Sequence, residues 1–235
     1  MSLRCFFCEN IAGQGGISTV SEEERRHIFL SLRKHDGDEI MLIDGKGTTA
    51  IGVIENQRIR TVSIELLERP LPELHLFFSP PHNRNSTDII LDQAAELGVA
   101  SITPVITENS VSKPEKTASR WGKRLIEACK QSKNPFLPEI GEVLTLKDAV
   151  GKVKSEGITA FFGSLAENAA DLEIPEFAKF AWIVGPEGGF TRKEEEIMKN
   201  TGFFQLRLPG WTLRTETACI AGASLISSRA FSKRA

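Results

Sequence analysis

Four consecutive apolar residues, Ala181-Trp182-Ile183-Val184, run directly into Gly185-Pro186-Glu187-Gly188-Gly189-Phe190 and then Thr191-Arg192-Lys193-Glu194. A short apolar run closed by a glycine turn reads as a buried strand. Thr191 with Glu194 three residues later forms a capping box, which fixes the start of a helix. This strand–turn–helix unit commits the region to an α/β arrangement, in which ligands gather at the carboxyl ends of the strands. Gly185, Gly188 and Gly189 would let a ligand approach the backbone and reach its amides. The turn lacks the GK[ST] ending of a P-loop and the GxGxxG dinucleotide pattern. By spacing alone, a tight turn that binds nothing remains equally open.

A second segment has the same character. Leu206-Arg207-Leu208-Pro209-Gly210 reads as a strand end and turn, and Trp211-Thr212-Leu213-Arg214-Thr215-Glu216-Thr217-Ala218 opens a helix. That helix carries Ala218, Cys219, Ala221, Gly222 and Ala223, small side chains that permit close packing. An ordinary capped helix in a tight core is one reading. Arg214 and Glu216 beside a second glycine turn, both beyond a strand end, favour a site.

The chain has 235 residues, enough for one large domain or two modest ones. Residues 1 to about 70 read as β-rich, with strands at Leu3–Cys8, Glu39–Asp44, Thr48–Glu55 and Arg60–Leu67 and one helix at Ser21–Arg33. Asp44-Gly45-Lys46-Gly47 is a hairpin turn signal, and several short strands with Gly-rich turns suggest a small barrel. Pro70 and Pro72 mark a junction. From 73 onward, strands at Glu73–Ser79, Ser101–Ile106, Thr159–Phe162, Phe180–Val184 and Phe203–Leu206 alternate with helices at Thr87–Leu97, Thr117–Ser132, 191–200 and 215–229. The expected fold class is therefore α/β with a mainly parallel sheet, preceded by a small β-barrel domain.

No window reaches ~18 uninterrupted apolar residues, so no membrane span is expected, and the N-terminus has too short an apolar stretch for a secretory signal. A cytoplasmic protein is the expectation. The net charge of −2 excludes a globally basic nucleic-acid binder, so any RNA contact must come from a local patch. Residues 113–133 supply one: Lys113, Lys116, Arg120, Lys123, Arg124, Lys130 and Lys133 face Glu115 and Glu127, a net +5. Such a stretch grips phosphates or is simply a solvated face, and Trp121 within it stacks on a base or packs. Cys5, Cys8, Cys129 and Cys219 read as free thiols, since Cys5 and Cys8 form a lone CxxC and point to opposite sides of a strand. His27, His35, His75 and His82 make no ligand pattern, so no metal is expected.

Taken together, Gly185–Phe190 and Leu213-Arg214-Thr215-Glu216-Thr217-Ala218 resemble the C-terminal signature of the bacterial small-subunit rRNA uridine-N3 methyltransferases, a family of the SPOUT superfamily. Ala94-Ala95-Glu96-Leu97-Gly98-Val99, Ile102-Thr103-Pro104, Glu127–Ser132 and Pro138-Glu139-Ile140 follow the family's order, and His27-Ile28, Leu32-Arg33, Gly37-Asp38 and Asp44–Gly47 are similar to its PUA-like domain. The resemblance implies a PUA-like β-barrel RNA-binding domain over 1–70 and a SPOUT domain over 73–235, with a C-terminal trefoil knot and a homodimer. It implies S-adenosylmethionine (SAM) as cofactor, bent against Gly163 to Leu165, Gly185 to Gly189 and Leu206 to Leu213. The binding residues would be Gly163, Leu165, Gly185, Pro186, Glu187, Gly188, Gly189, Leu206, Leu208, Gly210, Leu213, Thr215 and Ala218.

The implied substrate is N3 of uridine 1498 in 16S rRNA of the assembled small subunit. Negative charge develops on the uracil ring as N3 is methylated, and a fixed cation stabilises it. Arg214 is the candidate, with Glu216 orienting it or acting as base. Arg33, Lys113, Lys123, Arg124, Lys130 and Lys133 are the candidate RNA contacts. Three positions where the family often has cations carry Gln93, Asn134 and Trp211 here, and Lys130 or Lys133 is the candidate substitute. The alternatives are another RNA target, a non-catalytic RNA-binding or assembly role, and an unrelated nucleotide-binding α/β protein.

Overall fold

The structure, a computed structural model, describes residues 3–165 and 179–232, with side chains through 228. The chain forms two compact units, 1–69 with 125–137, and 70–124 with 138–235.

The first unit is a five-stranded sheet in the order β1-β3-β4-β5-β2. Its strands are β1 (Cys5–Phe7), β2 (Ile17–Ser18), β3 (Glu39–Ile43), β4 (Thr48–Glu55) and β5 (Arg58–Leu66). Only β1–β3 is parallel; the remaining pairs are antiparallel. A bridge between Asn10 and Thr19 links the continuations of the two outer strands, so the sheet curls. Alternation along β4 turns Ala50, Gly52 and Ile54 inward, where Ala50 and Ile54 meet Phe6, Ile28, Ile40, Leu42 and Ile59. At the β3–β4 turn, Asp44 Oδ1 accepts from the amides of Lys46 at 2.7 Å and Thr48 at 2.9 Å. Residues 125–137, assigned to the second domain on sequence, join this unit through that turn. Gly47 N donates to Pro135 O at 3.0 Å and Leu137 N to Gly45 O at 2.9 Å. The expected helix at Ser21–Arg33 is shorter and irregular. Ser21 caps α1 (Glu22–Arg26), which widens into a π-turn over His27–Ser31, and Arg33 lies at φ 50° beyond it.

The second unit is an α/β domain with an all-parallel sheet ordered β12-β10-β11-β6-β7-β8, with β9 also beside β7. Its strands are β6 (Glu73–Phe78), β7 (Ser101–Ile106), β8 (Glu139–Ile140), β9 (Leu144–Thr145), β10 (Thr159–Gly163), β11 (Lys179–Val184) and β12 (Phe204–Leu206). Its helices are α2 (Arg84–Glu96), α4 (Leu146–Ser155), α5 (Arg192–Asn200) and α6 (Thr215–Ser232); α3 (Arg120–Ser132) begins in this unit, and its residues from 125 onward belong to the first. The chain builds outward from β6 toward β8, then returns to build β10, β11 and β12 on the other side. Strand order therefore reverses beside β6, the arrangement that opens a crevice at the strands' carboxyl ends. Among the described residues no helix is long and apolar enough to cross a membrane.

Packing of α6 on the sheet explains its small residues. Trp182 on β11 is fully buried, its indole N–H donates to Ala218 O at 3.1 Å, and a Cβ on Gly222 would lie 2.2 Å from the indole. Gly222 is the notch that admits this ring. We expect Gly222→Ala to destabilise the domain by about 2 kcal/mol through overpacking, measured by urea unfolding. Unchanged stability would mean the helix shifts freely on the sheet.

Candidate cofactor cavity

Three loops that follow β10, β11 and β12 enclose a cavity of about 370 Å³, within the ~300–1,000 Å³ range of small-molecule and cofactor pockets. Of the residues expected to hold a cofactor, Gly163, Leu165, Gly185, Pro186, Glu187, Gly188, Gly189, Leu206, Leu208, Leu213, Thr215 and Ala218 all line it. Gly210 does not. It holds φ 100° in the 207–214 turn, and its role there is to let the chain reverse. Ser164, Trp211 and Thr212, which fall inside the expected loop ranges, also line the cavity, whereas sequence reasoning missed Trp182, Val184, Phe190 and Glu195. Trp182 and Val184 belong to the strand already read as buried, so a stricter reading of its end would have found them. Glu195 carried no sequence signal.

The glycine turn is held from both sides. Its helix begins as the capping box requires: Thr191 Oγ1 accepts from Glu194 N at 3.3 Å and Glu194 Oε2 accepts from Thr191 N at 2.8 Å. The other oxygen of the buried Glu194 accepts from Glu108 N at 2.8 Å. This ties the turn to the loop after β7. Asn109 in that loop donates its side-chain amide to Gly189 O at 3.1 Å and Gly188 O at 3.4 Å. Thr215 Oγ1 donates to Gly185 O at 3.5 Å, joining the start of α6 to the same turn. Gly189 needs its glycine, since it holds φ 69°. Removing the Asn109 clamp should loosen the turn: Asn109→Ala is expected to weaken ligand binding in the cavity about 3- to 10-fold, the equivalent of one net hydrogen bond. Calorimetric titration checks this, and wild-type affinity would make the clamp irrelevant.

The charge of the cavity is distinctive. Its lining carries two carboxylates, Glu187 and Glu195, and no lysine, arginine or histidine among the described residues. Glu195 Oε1 accepts from Ser164 Oγ at 2.8 Å, and Ser164 also accepts from Gln205 Nε2 at 2.6 Å. Arg214 is exposed and forms no ion pair among the described residues. It stands between two lining residues, Leu213 and Thr215, and its carbonyl accepts from Ala218 N at 2.9 Å. Glu216 is half-buried in the first turn of α6. Burial, with Glu216 adding to it, pushes the Cys219 thiol well above its ordinary value, so no thiolate nucleophile is available there at neutral pH. All four cysteines are free, and burial raises Cys5 to about 11 and Cys129 to about 12. No group of three or more metal-ligating side chains occurs among the described residues.

The candidate RNA contacts divide. Arg33, Lys113 and Lys123 are exposed, and Lys133 is half-buried at φ 58°. Lys130 is corrected: it is buried, with Nζ 2.5 Å from Glu24 Oε1 and 2.7 Å from Glu127 Oε1, so it presents no charge to a phosphate. Arg124 pairs through two nitrogens with Asp92, and Arg120 pairs with Asp88. The net charge of +5 counted along 113–133 is thus partly cancelled by carboxylates of α2. Trp121 packs rather than projecting outward, 5.8 Å from the Phe78 ring.

The family described as RNA methyltransferase domain matches residues 67–227, and the RNA methyltransferase PUA domain matches residues 20–60. A relative from Aquifex aeolicus, ribosomal RNA small subunit methyltransferase E, is 30% identical over 91% of this chain and 95% of its own. The crystal structure of a ribosomal RNA small subunit methyltransferase E from Neisseria gonorrhoeae bound to SAM is 29% identical, with a TM-score of 0.85 over 97% of this chain and 98% of that one. Lpg2936 from Legionella pneumophila, a putative methyltransferase in complex with SAM, is 25% identical with a TM-score of 0.81, again over 97% and 98%. Alignment along nearly the whole of both chains, with matches to both domains in order, shows that this chain belongs to the RNA methyltransferase family whose members are named ribosomal RNA small subunit methyltransferase E.

Proposed function

We propose that the chain binds SAM in the cavity above β10–β12 and transfers its methyl group to N3 of a uridine in small-subunit rRNA, with uridine 1498 of 16S rRNA as the site. The observation that carries the cofactor is the charge of the lining. Two carboxylates and no cation among the described residues repel a di- or triphosphate and favour a ligand whose centre is cationic. Gly188 and Gly189 give that ligand access to the backbone, and Trp182 gives it an apolar floor. When bound, SAM supplies a methyl group on a positively charged sulfur.

The remaining chemistry belongs to the chain. The three loops fix the methyl donor for in-line attack, and such positioning removes much of the barrier. Arg214, exposed and without a carboxylate partner beside the cavity, faces the uracil oxygens and stabilises the charge that develops as N3 loses its proton. Glu216 either orients Arg214 or accepts that proton. A Glu216→Gln pH profile separates the two roles, because only loss of the base removes the acidic limb. We also place in this reading a C-terminal trefoil knot and a homodimer, on the strength of the motif resemblance, and a cytoplasmic setting. A second reading, another RNA target, is favoured by Gln93, Asn134 and Trp211 standing where the family often has cations.

Calorimetry with SAM, ATP and NAD tests the cofactor. SAM binding with neither nucleotide binding is the expected result, and binding of ATP or NAD in place of SAM would overturn it.

A further inference from the structure

The first unit, expected to bind RNA, has a surface concavity of its own whose lining contains none of the candidate RNA contacts named above. It has a volume of about 710 Å³ and is walled by α1 and its π-turn, the loop at 34–36, and the β4–β5 turn. Its lining carries Arg25, Lys34 and Arg58 against Asp36. Arg25 and Arg58 have no carboxylate partner among the described residues, whereas Lys34 lies 3.6 Å from Asp38. Two guanidinium groups without an ion-pair partner among the described residues therefore share one concavity with a single carboxylate, Asp36.

The walls are fixed in advance. Asn56 and Gln57 both hold positive φ, 51° and 56°, the conformation of a tight two-residue hairpin turn. Asp36 Oδ1 accepts from Asn56 N at 2.9 Å. Gly37 N donates to Ile54 O at 2.8 Å, and Ile54 N donates to Asp38 O at 3.0 Å. The loop and the hairpin are thus stitched together. Arg25 is pinned as well. It donates to Gln57 O at 3.0 Å and to Gln57 Oε1 at 3.2 Å, and its guanidinium carbon lies 5.2 Å from the centre of the Phe29 ring. A planar cation is thus oriented against an aromatic ring by two hydrogen bonds, with Arg58 supplying a second charge that has no carboxylate partner among the described residues.

A flat, pre-oriented guanidinium is a platform for a nucleobase, and an unpaired arginine nearby matches a phosphate. We infer that this cavity binds one unpaired nucleotide, its base stacked on Arg25 and its phosphate on Arg58. The same chemistry is presented by a nucleotide within a single-stranded RNA and by a free nucleoside monophosphate. The inference deepens the RNA-binding role expected of the first unit by naming a nucleotide site, and its readout is separate from methyl transfer because binding is measured without SAM.

The test uses the full chain and a 3′-fluorescein, 5′-phosphorylated single-stranded uridine octamer, followed by fluorescence anisotropy. Arg58→Glu and Arg25→Lys are each expected to weaken octamer binding about tenfold, the first by losing the phosphate charge and the second by losing the stacking plane while keeping charge. Thermal unfolding and SAM titration of the same variants should match wild type. A failure of the methyl-transfer reading would appear in the SAM arm, and a failure of this inference in the octamer arm. Competition by uridine 5′-monophosphate but not by uridine supports the cavity and assigns it to free nucleotides as well. Variant-sensitive octamer binding without such competition supports it and assigns it to a strand. Wild-type octamer affinity in both folded variants, or no binding of octamer or monophosphate at millimolar concentration, overturns the inference.

Discussion

Replacing Arg214 by alanine is expected to lower the methyl-transfer rate about 10²- to 10³-fold, the usual cost of removing one donor that stabilises developing negative charge. SAM affinity should stay within a few-fold, because Arg214 is not part of the cavity lining while its neighbours Leu213 and Thr215 are. Uracil N3 carries a proton in the neutral base, so the reacting ring becomes anionic at its carbonyl oxygens. A guanidinium stays charged at any working pH and offers planar donors. Arg214 forms no ion pair among the described residues, so its charge is available to the ring. Arg214→Lys should recover part of the loss, since it restores charge without the fork. Single-turnover kinetics at saturating SAM checks both variants. An unchanged rate for Arg214→Ala would remove this residue from the mechanism.

Lys130→Met should destabilise the first unit by about 3–5 kcal/mol, the cost of leaving a buried charge without its partner. Lys130 and Glu24 have side-chain exposures of only 5% and 9%, and Glu24 Oε2 already lacks a hydrogen-bond partner among the described residues. Removing the ammonium strands the whole carboxylate. Burial alone lowers the lysine's proton affinity, but hydrogen bonds to Glu127 and Glu24 outweigh it and hold the ammonium above its ordinary value. A raised folded-state value gives stabilisation that is complete below the ordinary lysine range and disappears as pH rises through the folded value. The pair therefore holds at neutral pH and fails only in strong alkali. The double variant Lys130→Met with Glu24→Leu should recover most of the stability, because an apolar pair replaces the ionic one. Chemical denaturation of the three proteins checks this. A Lys130→Met variant with wild-type stability but weakened RNA binding would reverse the assignment.

These two residues also mark how far the sequence could be read. Arg214 could be proposed from the sequence because it stands beside a glycine turn at a strand end, a purely local pattern. The capping box of Thr191 and Glu194 was legible for the same reason, and both of its hydrogen bonds are present. Glu194's other partner, Glu108 N, is 86 residues away, and no local pattern points to it. Lys130 was misread because charge counted along the chain ignores what folds against it. Glu24 arrives from 106 residues away, and Asp88 and Asp92 reach Arg120 and Arg124 from another helix. The fit of Trp182 into the notch at Gly222 depends on the same long-range packing. By contrast, α4 was missed although its signal was local: Thr145 caps it, and Leu146, Ala149, Val150 and Val153 follow at helical spacing. The lone residues after β10 and β12 could be assigned to one cavity only through the motif resemblance, since parallel strands meet by topology rather than by spacing.

Methyl transfer itself decides between these readings. The protein, labelled SAM and small ribosomal subunits lacking the native mark are incubated together, and the modified nucleoside is identified by mass spectrometry. We expect 3-methyluridine at the proposed 16S rRNA position, formed by wild type and almost lost in Arg214→Ala. A different methylated nucleoside, or none from a protein that demonstrably binds SAM beside an active control enzyme, would contradict it.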